Sequence, residues 1–252
     1  MNFAECVQLG VHASGVAEIV IHRAERHNAM TREMYEALLD HIGACARNCA
    51  VRSVLFRGAG GKSFISGTDI THFKDFREGR DGIAYEAFVE RVIDTVERIA
   101  VPTVAVVDGW AVGGGLALAT ACDFRVCSDA SRFGAPIART LSNTLSSRNI
   151  ARLQAALGVP RVKRMLLLAD YLTAQEALAC GYVHAACAPG ELDAAAHALA
   201  ERLMALSPVT HKAVKESIRR IVVEQRLDDD DLIEEVYGSQ AFRDRVAAFI
   251  GR

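Results

Sequence analysis

Three glycines in a row, at positions 113–115, stand in the stretch "GWAVGGGLALATACDF" between an apolar run and an alanine-rich one. Glycine has no Cβ, so backbone N–H groups at such a place can come close to a ligand. A helix starting there adds unpaired first-turn N–H groups and the positive end of its dipole. The stretch therefore reads as a place where backbone holds something electron-rich. A second stretch, "GGKSFISGTDITHF" at residues 60–73, has the same ingredients. It follows a strand pattern, contains Gly67 and leads into a helix expected near Thr68 and Asp69. Two helix starts, each at the end of a core strand, can aim two N–H donors at one oxygen. That is the construction of an oxyanion hole.

Several elements must position these donors. "GVAEIVIHR" (residues 15–23) and "RSVLFRG" (52–58) are short, rich in β-branched residues and bounded by turn signals, as strands are. Between them Thr31 can cap a helix with Met34, Leu38, His41, Ile42 and Cys45 on one face. Strand, helix, strand implies a parallel crossover. Residues 85–98 repeat the helical period, and "PTVAVVDG" is a near-continuous apolar strand, as expected when both sheet faces are covered. "FRVCS" and "SRFG" add short strands. After residue 140 the pattern turns helical, over 149–157, 161–168, 173–179 and 192–206. "TAQE" is a capping box for the third of these, and Gly181 ends it. From Pro208 onward the chain reads as helical again, with "LDDDDLIEE" as a solvated helix start. The fold class is α/β: β-β-α-like units followed by a helical C-terminal region.

The 252 residues, about half of them apolar, suffice for one large domain. Lys plus Arg number 29 against 31 for Asp plus Glu, so broad electrostatic nucleic-acid binding is not expected. Seven cysteines without a C-x-x-C pair suggest free thiols in a reducing compartment, and Cys45 and Cys49 read as small apolar residues rather than metal ligands. "MNFAECVQLG" lacks a basic start followed by a long apolar run, and Pro102, Asp108 and the glycines break the one membrane-like stretch, 101–122. A cytoplasmic protein without a membrane partner or a metal is expected.

The two backbone-donor segments, in this order and about this far apart, resemble the crotonase family, the enoyl-CoA hydratase/isomerase superfamily. The likeness runs through nearly the whole chain. "HRAERHNAM" is similar to the family's early CoA-contacting turn, with Arg26, Asn28 and Ala29. "SFISGTDI" and "PTVAVVDGWAVGGGLALATACDFRV" resemble its two oxyanion segments, and "LTAQEALACGYV" its later helix-and-strand passage. "SPVTHKAVKESI" and "SQAFRDRVAAFIGR" resemble its C-terminal helices, with Lys215 and Phe249 at recurrent positions. The resemblance implies a crotonase-like β-β-α superhelix over residues 1–195 and a C-terminal helical trimerisation region over 196–252. It implies a coenzyme A thioester as substrate, no separate cofactor, and a homotrimer or dimer of trimers. Residue by residue, it puts the backbone N–H groups of Thr68 and Gly114 on the thioester carbonyl. Ser66, Gly67, Asp69 and Ile70 come beside the adenine and pantetheine, with Lys215 and Phe249 also on CoA. Trp110, Gly113, Ala117 and Ile137 come near the acyl group.

One departure matters most. The family's hydratases carry a glutamate three residues after the middle glycine and another directly after a later proline. Here those positions hold Ala117 and Ile137, neither of which can exchange a proton. Other groups have two readings each. Arg139 pairs either with a substrate carboxylate or with a surface partner. Asn143 is a donor or a turn former. His72 and Asp75 stand where some family members place reactive groups, and Glu86 and Glu90 on a helix that borders the acyl tail, with a solvated helix face as the other reading of each. Trp110 lines the acyl pocket or packs in the core. Three functions are compatible with this pattern: a hydratase, isomerase or related lyase using a different base, a decarboxylase of malonyl-type thioesters, or a non-catalytic acyl-CoA-binding protein.

Overall fold

Runs of valine and isoleucine bounded by glycine form the strands of two sheets in the computed structural model, which describes residues 3–251. The first half contains β1 (Val7–Val11), β2 (Val16–Ile21), α1 (Arg32–Arg47), β3 (Ser53–Gly58), β4 (Ser63–Ile65) and α2 (Gly79–Glu97). Next come β5 (Thr103–Val107), β6 (Trp110–Val112), α3 (Gly114–Ala121), β7 (Phe124–Ser128) and β8 (Arg132–Gly134). Then follow α4 (Ser147–Leu157), α5 (Val159–Leu167), β9 (Leu172–Thr173), α6 (Ala174–Ala179) and β10 (Ala185–Cys187). The chain continues through α7 (Leu192–Met204), α8 (Pro208–Arg219), α9 (Asp230–Tyr237) and α10 (Gln240–Ile250).

One sheet has the order β1-β2-β3-β5-β7-β10, the other β4-β6-β8-β9. Each unit of strand, strand and helix sends one strand into each sheet before its helix. β3-β4-α2, β5-β6-α3 and β7-β8-α4 repeat this step, which is the expected β-β-α superhelix. The α1 crossover makes β2 and β3 parallel, and Thr31 caps α1 by accepting the Met34 N–H at 3.4 Å. Where the chain passes from β5 to β6, Gly109 has φ +78°, and a Cβ there would lie 2.1 Å from the Lys62 carbonyl oxygen. Only glycine fits that turn.

Several expectations change. β1 carries too weak an alternation to read as a strand, since only Val7 is buried, and it forms through its hairpin with β2. α2 begins at Gly79, six residues before the apolar period becomes visible. A reciprocal Glu78–Asp81 capping box starts it in spite of two glycines. The helix expected at Thr68 and Asp69 is a 3₁₀ segment, Ile70–Asp75, capped by Asp69, which accepts the Thr71 N–H at 3.0 Å. The C-terminal stretch is interrupted: α8 runs into a π-helical turn, Arg220–Glu224, and Gln225 at φ +53° breaks it before α9. The boundary expected between residues 195 and 196 falls inside α7. That helix packs Leu192, Ala196, Leu199 and Leu203 on Leu55, Val104 and Val126 of the six-stranded sheet. Among the described residues no helix is long and apolar enough to cross a membrane.

Candidate active site

β4 and β6 lie side by side in the smaller sheet, so the segments that follow them emerge together. After β4, the Met30 N–H donates to the Gly67 carbonyl at 2.9 Å and the Asp69 N–H to the Met30 carbonyl at 2.8 Å. That pairing turns the Thr68 N–H to the other side of the chain. After β6, Gly113 at φ +55° gives its N–H to the Gly134 carbonyl at 3.0 Å, and Gly114 opens α3. As the first helical residue it has no intrahelical acceptor. Among the described residues neither the Thr68 nor the Gly114 N–H has a hydrogen-bond acceptor. The two come close: a Cβ built on Gly114 would lie 3.9 Å from the Thr68 nitrogen, and one on Gly67 would lie 3.7 Å from the Gly114 nitrogen. Gly115 makes this approach possible, since a Cβ there would lie 2.0 Å from the Ile65 carbonyl oxygen. Two such donors can share one oxygen acceptor.

The turn at residues 22–30 is brought against the first of these segments. The Ser66 N–H donates to the His27 carbonyl at 3.2 Å. Asn28, fully buried at φ +58°, accepts the Arg23 N–H at 2.9 Å and donates to the carbonyls of Ala59 and Ser63 at 2.9 and 2.7 Å. Its side chain is thereby spent on holding the turn to β3 and β4. Arg23 donates to the Ala29 carbonyl at 2.9 Å and pairs with Asp69 at 2.7 Å. Arg26 is exposed beside this turn, and Ile70 is exposed at the start of the 3₁₀ segment.

Burial works against ionisation of Asp69, but hydrogen bonds from Thr71 and Arg23 outweigh it and hold the carboxyl down to about 2. The folded-state value is depressed, so this contribution to stability is present above the ordinary carboxylate range and is lost as pH falls toward 2. Asp69→Asn is expected to destabilise the protein by about 2 kcal/mol at pH 7, because the largely buried Arg23 loses its counter-charge. Urea unfolding midpoints of the parent and the variant, followed from pH 7 downward, should converge between about pH 4 and 2. A constant gap across that range would show that the pair does not contribute.

Two tyrosines absent from the sequence reading meet at Thr68. Its Oγ1 lies 3.0 Å from the Tyr35 hydroxyl and 2.7 Å from the Tyr85 hydroxyl. A Cβ on Gly114 would come within 2.8 Å of the Tyr35 hydroxyl oxygen, so this group borders both donors. Burial pushes Tyr85 up to about 12 and Tyr35 further in the same direction. Both hydroxyls are neutral at physiological pH. The available signal was Tyr35 on the inward face of α1, since a buried tyrosine hydroxyl needs a partner.

The remaining candidates are scattered. Ala117, one turn into α3, is 4% exposed in the main apolar cluster, and Ile137 packs against that cluster. Trp110 is exposed at the start of β6 and packs edge-to-face with Tyr171 at 4.9 Å, outside the apolar core. Arg139 is exposed, its guanidinium 6.0 Å from the centre of the Tyr171 ring. Lys215 stands at the other end of α3, where its ammonium donates to Asp123 at 2.6 Å and to the Val101 carbonyl at 2.8 Å. Phe249 is 80% exposed on α10. Within this chain, neither is brought to Thr68 and Gly114.

The readings of the α2 face also change. Glu90 is not solvated: it is buried and accepts two hydrogen bonds from Arg152 of α4 at 2.8 and 2.9 Å. Glu86 accepts the Ser146 N–H at 2.7 Å, and burial pushes its carboxyl up. His72 is half-buried, its ring 5.5 Å from Phe76 and 5.6 Å from Tyr85, while Asp75 is exposed. Asn143 is exposed on the loop before α4. The sequence showed the periods of both α2 and α4, but not that Arg152 of α4 reaches Glu90 of α2.

Residues 12–247 match the family model described as enoyl-CoA hydratase/isomerase. The chain belongs to that family. A short-chain-enoyl-CoA hydratase from Clostridium acetobutylicum is 32% identical over 207 residues, 81% of this chain and 78% of the relative. A crotonyl-CoA hydratase from Syntrophomonas wolfei is 30% identical over 177 residues, 70% and 67% of the two chains. Among solved structures, an enoyl-CoA hydratase/carnithine racemase from Magnetospirillum magneticum superposes with a TM-score of 0.87 at 28% identity, covering 98% of this chain and 92% of that one. Membership in the hydratase/isomerase family thus rests on both sequence and fold.

Proposed function

We propose that this member of the hydratase/isomerase family binds acyl-CoA thioesters and stabilises a thioester enolate between the Thr68 and Gly114 N–H groups. The observation that carries the reading is the pair of unbonded donors on adjoining segments, held close by glycine packing. A thioester carbonyl gains negative charge when its α-carbon becomes an enolate, and fixed donors in a site shielded from water stabilise that charge. The Tyr35 and Tyr85 hydroxyls hold the Thr68 side chain between them and so fix one donor. The hydratase names of the relatives favour an enzyme of hydratase, isomerase or related lyase type. Ala117 and Ile137 argue against the two-glutamate route. Their apolar setting favours a second reading, decarboxylation of malonyl-type thioesters, in which the departing carboxylate supplies the electrons of the enolate.

Calorimetry with acyl-CoA and free CoA tests the main reading. The thioester should bind more tightly, because only it brings a carbonyl oxygen to the two donors. Equal affinities would remove the proposed role of Thr68 and Gly114.

A trimer or dimer of trimers is proposed as the assembly. Large apolar side chains on the later helices are left open, among them Leu167, Leu168, Ile218 and Phe249. Uncovered apolar surface of this kind marks a subunit interface. Light scattering should give three or six chains of 27.2 kDa per particle, and a lone chain at every concentration would refute it.

A further inference from the structure

A cavity of about 590 Å³ lies between the first turns of α2 and the loop before α4. Tyr85 belongs to its wall, and the Tyr85 hydroxyl lies 2.7 Å from Thr68 Oγ1, so this one side chain links the cavity to the Thr68 side chain. Phe73 and Phe76 supply further wall, packed edge-to-face with each other at 5.2 Å and with Tyr85 at 4.9 and 6.2 Å. Ile83 and Leu141, 71% and 45% exposed, also line it without being covered.

Two glycines make the space. Gly79 and Gly82 are three apart on α2, on the cavity side with Ile83 and Glu86. A Cβ on either would meet nothing within 4 Å. Neither has a positive φ. Neither is therefore required by backbone conformation or by close packing, although glycine is a poor helix former. What they provide is room. A cavity of about 150 Å³ lined by apolar side chains already holds benzene, so this one has space for a far larger group than a short acyl chain.

We propose that this cavity is the acyl subsite, that it takes a bulky apolar acyl group uncharged at its far end, and that Gly79 and Gly82 set that specificity. The inference rests on the reading that Thr68 and Gly114 receive the thioester oxygen. The acyl group enters past Tyr85, lies among the rings of Phe73 and Phe76, and extends toward Leu141. A carboxylate at its far end would meet the Glu86 carboxyl on the wall. Phenyl-bearing acids and medium-length alkyl acids share the required chemistry.

Equilibrium binding of free CoA, acetyl-CoA, phenylacetyl-CoA and octanoyl-CoA to the whole protein tests this, with Gly82→Leu and Gly79→Leu as variants. Both bulky thioesters, or whichever of them fits, should bind roughly tenfold or more tighter than acetyl-CoA. Preference between the two separates a ring-shaped from a chain-shaped occupant. Gly82→Leu should abolish that advantage and leave acetyl-CoA affinity within about twofold, with Gly79→Leu acting in the same direction. Thermal unfolding should show no loss of stability, because leucine is a better helix former than glycine. Bulky thioesters binding no better than acetyl-CoA, or an advantage that survives both substitutions, would overturn the subsite. Failure of the thioester reading looks different: acetyl-CoA would then bind no more tightly than free CoA, whatever the bulky ligands do.

Discussion

Gly114→Pro, made in a Tyr35→Phe background, is expected to slow turnover of the best thioester substrate by roughly 10²–10³-fold relative to Tyr35→Phe alone. Proline removes the one N–H that Gly114 offers and is tolerated at the first position of a helix, where that N–H has no intrahelical partner. The preceding Gly113, at φ 55° and ψ −116°, lies outside the α region that a following proline disfavours. The Tyr35→Phe background is needed because a Cβ on Gly114 would come within 2.8 Å of the Tyr35 hydroxyl oxygen. Gly114→Ala in the same background keeps the N–H and should retain most of the rate. Steady-state kinetics on the three variants, with circular dichroism to confirm folding, decides the matter. Equal rates for the proline variant and its background would mean that the Gly114 donor takes no part.

Hydration of crotonyl-CoA should be slower by a factor on the order of 10²–10⁴ than in a family member carrying both glutamates, the usual worth of positioned acid–base groups. Ala117 and Ile137 pack with the apolar core and present no proton donor or acceptor. The nearby hydroxyls do not replace them as bases. Tyr85 is pushed up to about 12 and Tyr35 is shifted the same way, so neither is ionised at neutral pH. An enolate formed by loss of carbon dioxide needs no base, and malonyl-CoA turnover exceeding crotonyl-CoA hydration would favour that route. Loss of the enoyl absorbance is the measurement. Fast hydration by the unmodified protein, unchanged in His72→Gln and Tyr85→Phe, would show that positions 117 and 137 do not stand where the glutamates of the family act.

Local pattern was enough for the strands 53–58 and 103–107, the Thr31 cap and the glycine run at 113–115. Each of these is written in neighbouring residues: β-branched runs, a hydroxyl before an apolar period, and a missing Cβ. The same pattern hid the start of α2, because the glycines that open the cavity also weaken the helical signal. It made Glu90 look like part of a solvated face, since its partner Arg152 lies 62 residues away on α4. Asn28 was read as a ligand contact, yet its side chain closes a turn across residues 23, 59 and 63.

The sequence alone determined the family-like order of the segments, the α/β class, the two backbone-donor candidates and the absence of acid–base side chains at 117 and 137. These are properties of residue type and short spacing, and folding cannot alter them. Only the tertiary structure decided what shares the space around Thr68. Tyr35 from α1, Tyr85 from α2 and Gly114 from α3 meet there because α2 packs against both α1 and α3, and α3 against β4 and β6. Such a meeting depends on helix packing between residues 33 and 46 positions from Thr68 in the case of the first and last, a range over which local propensity carries no information.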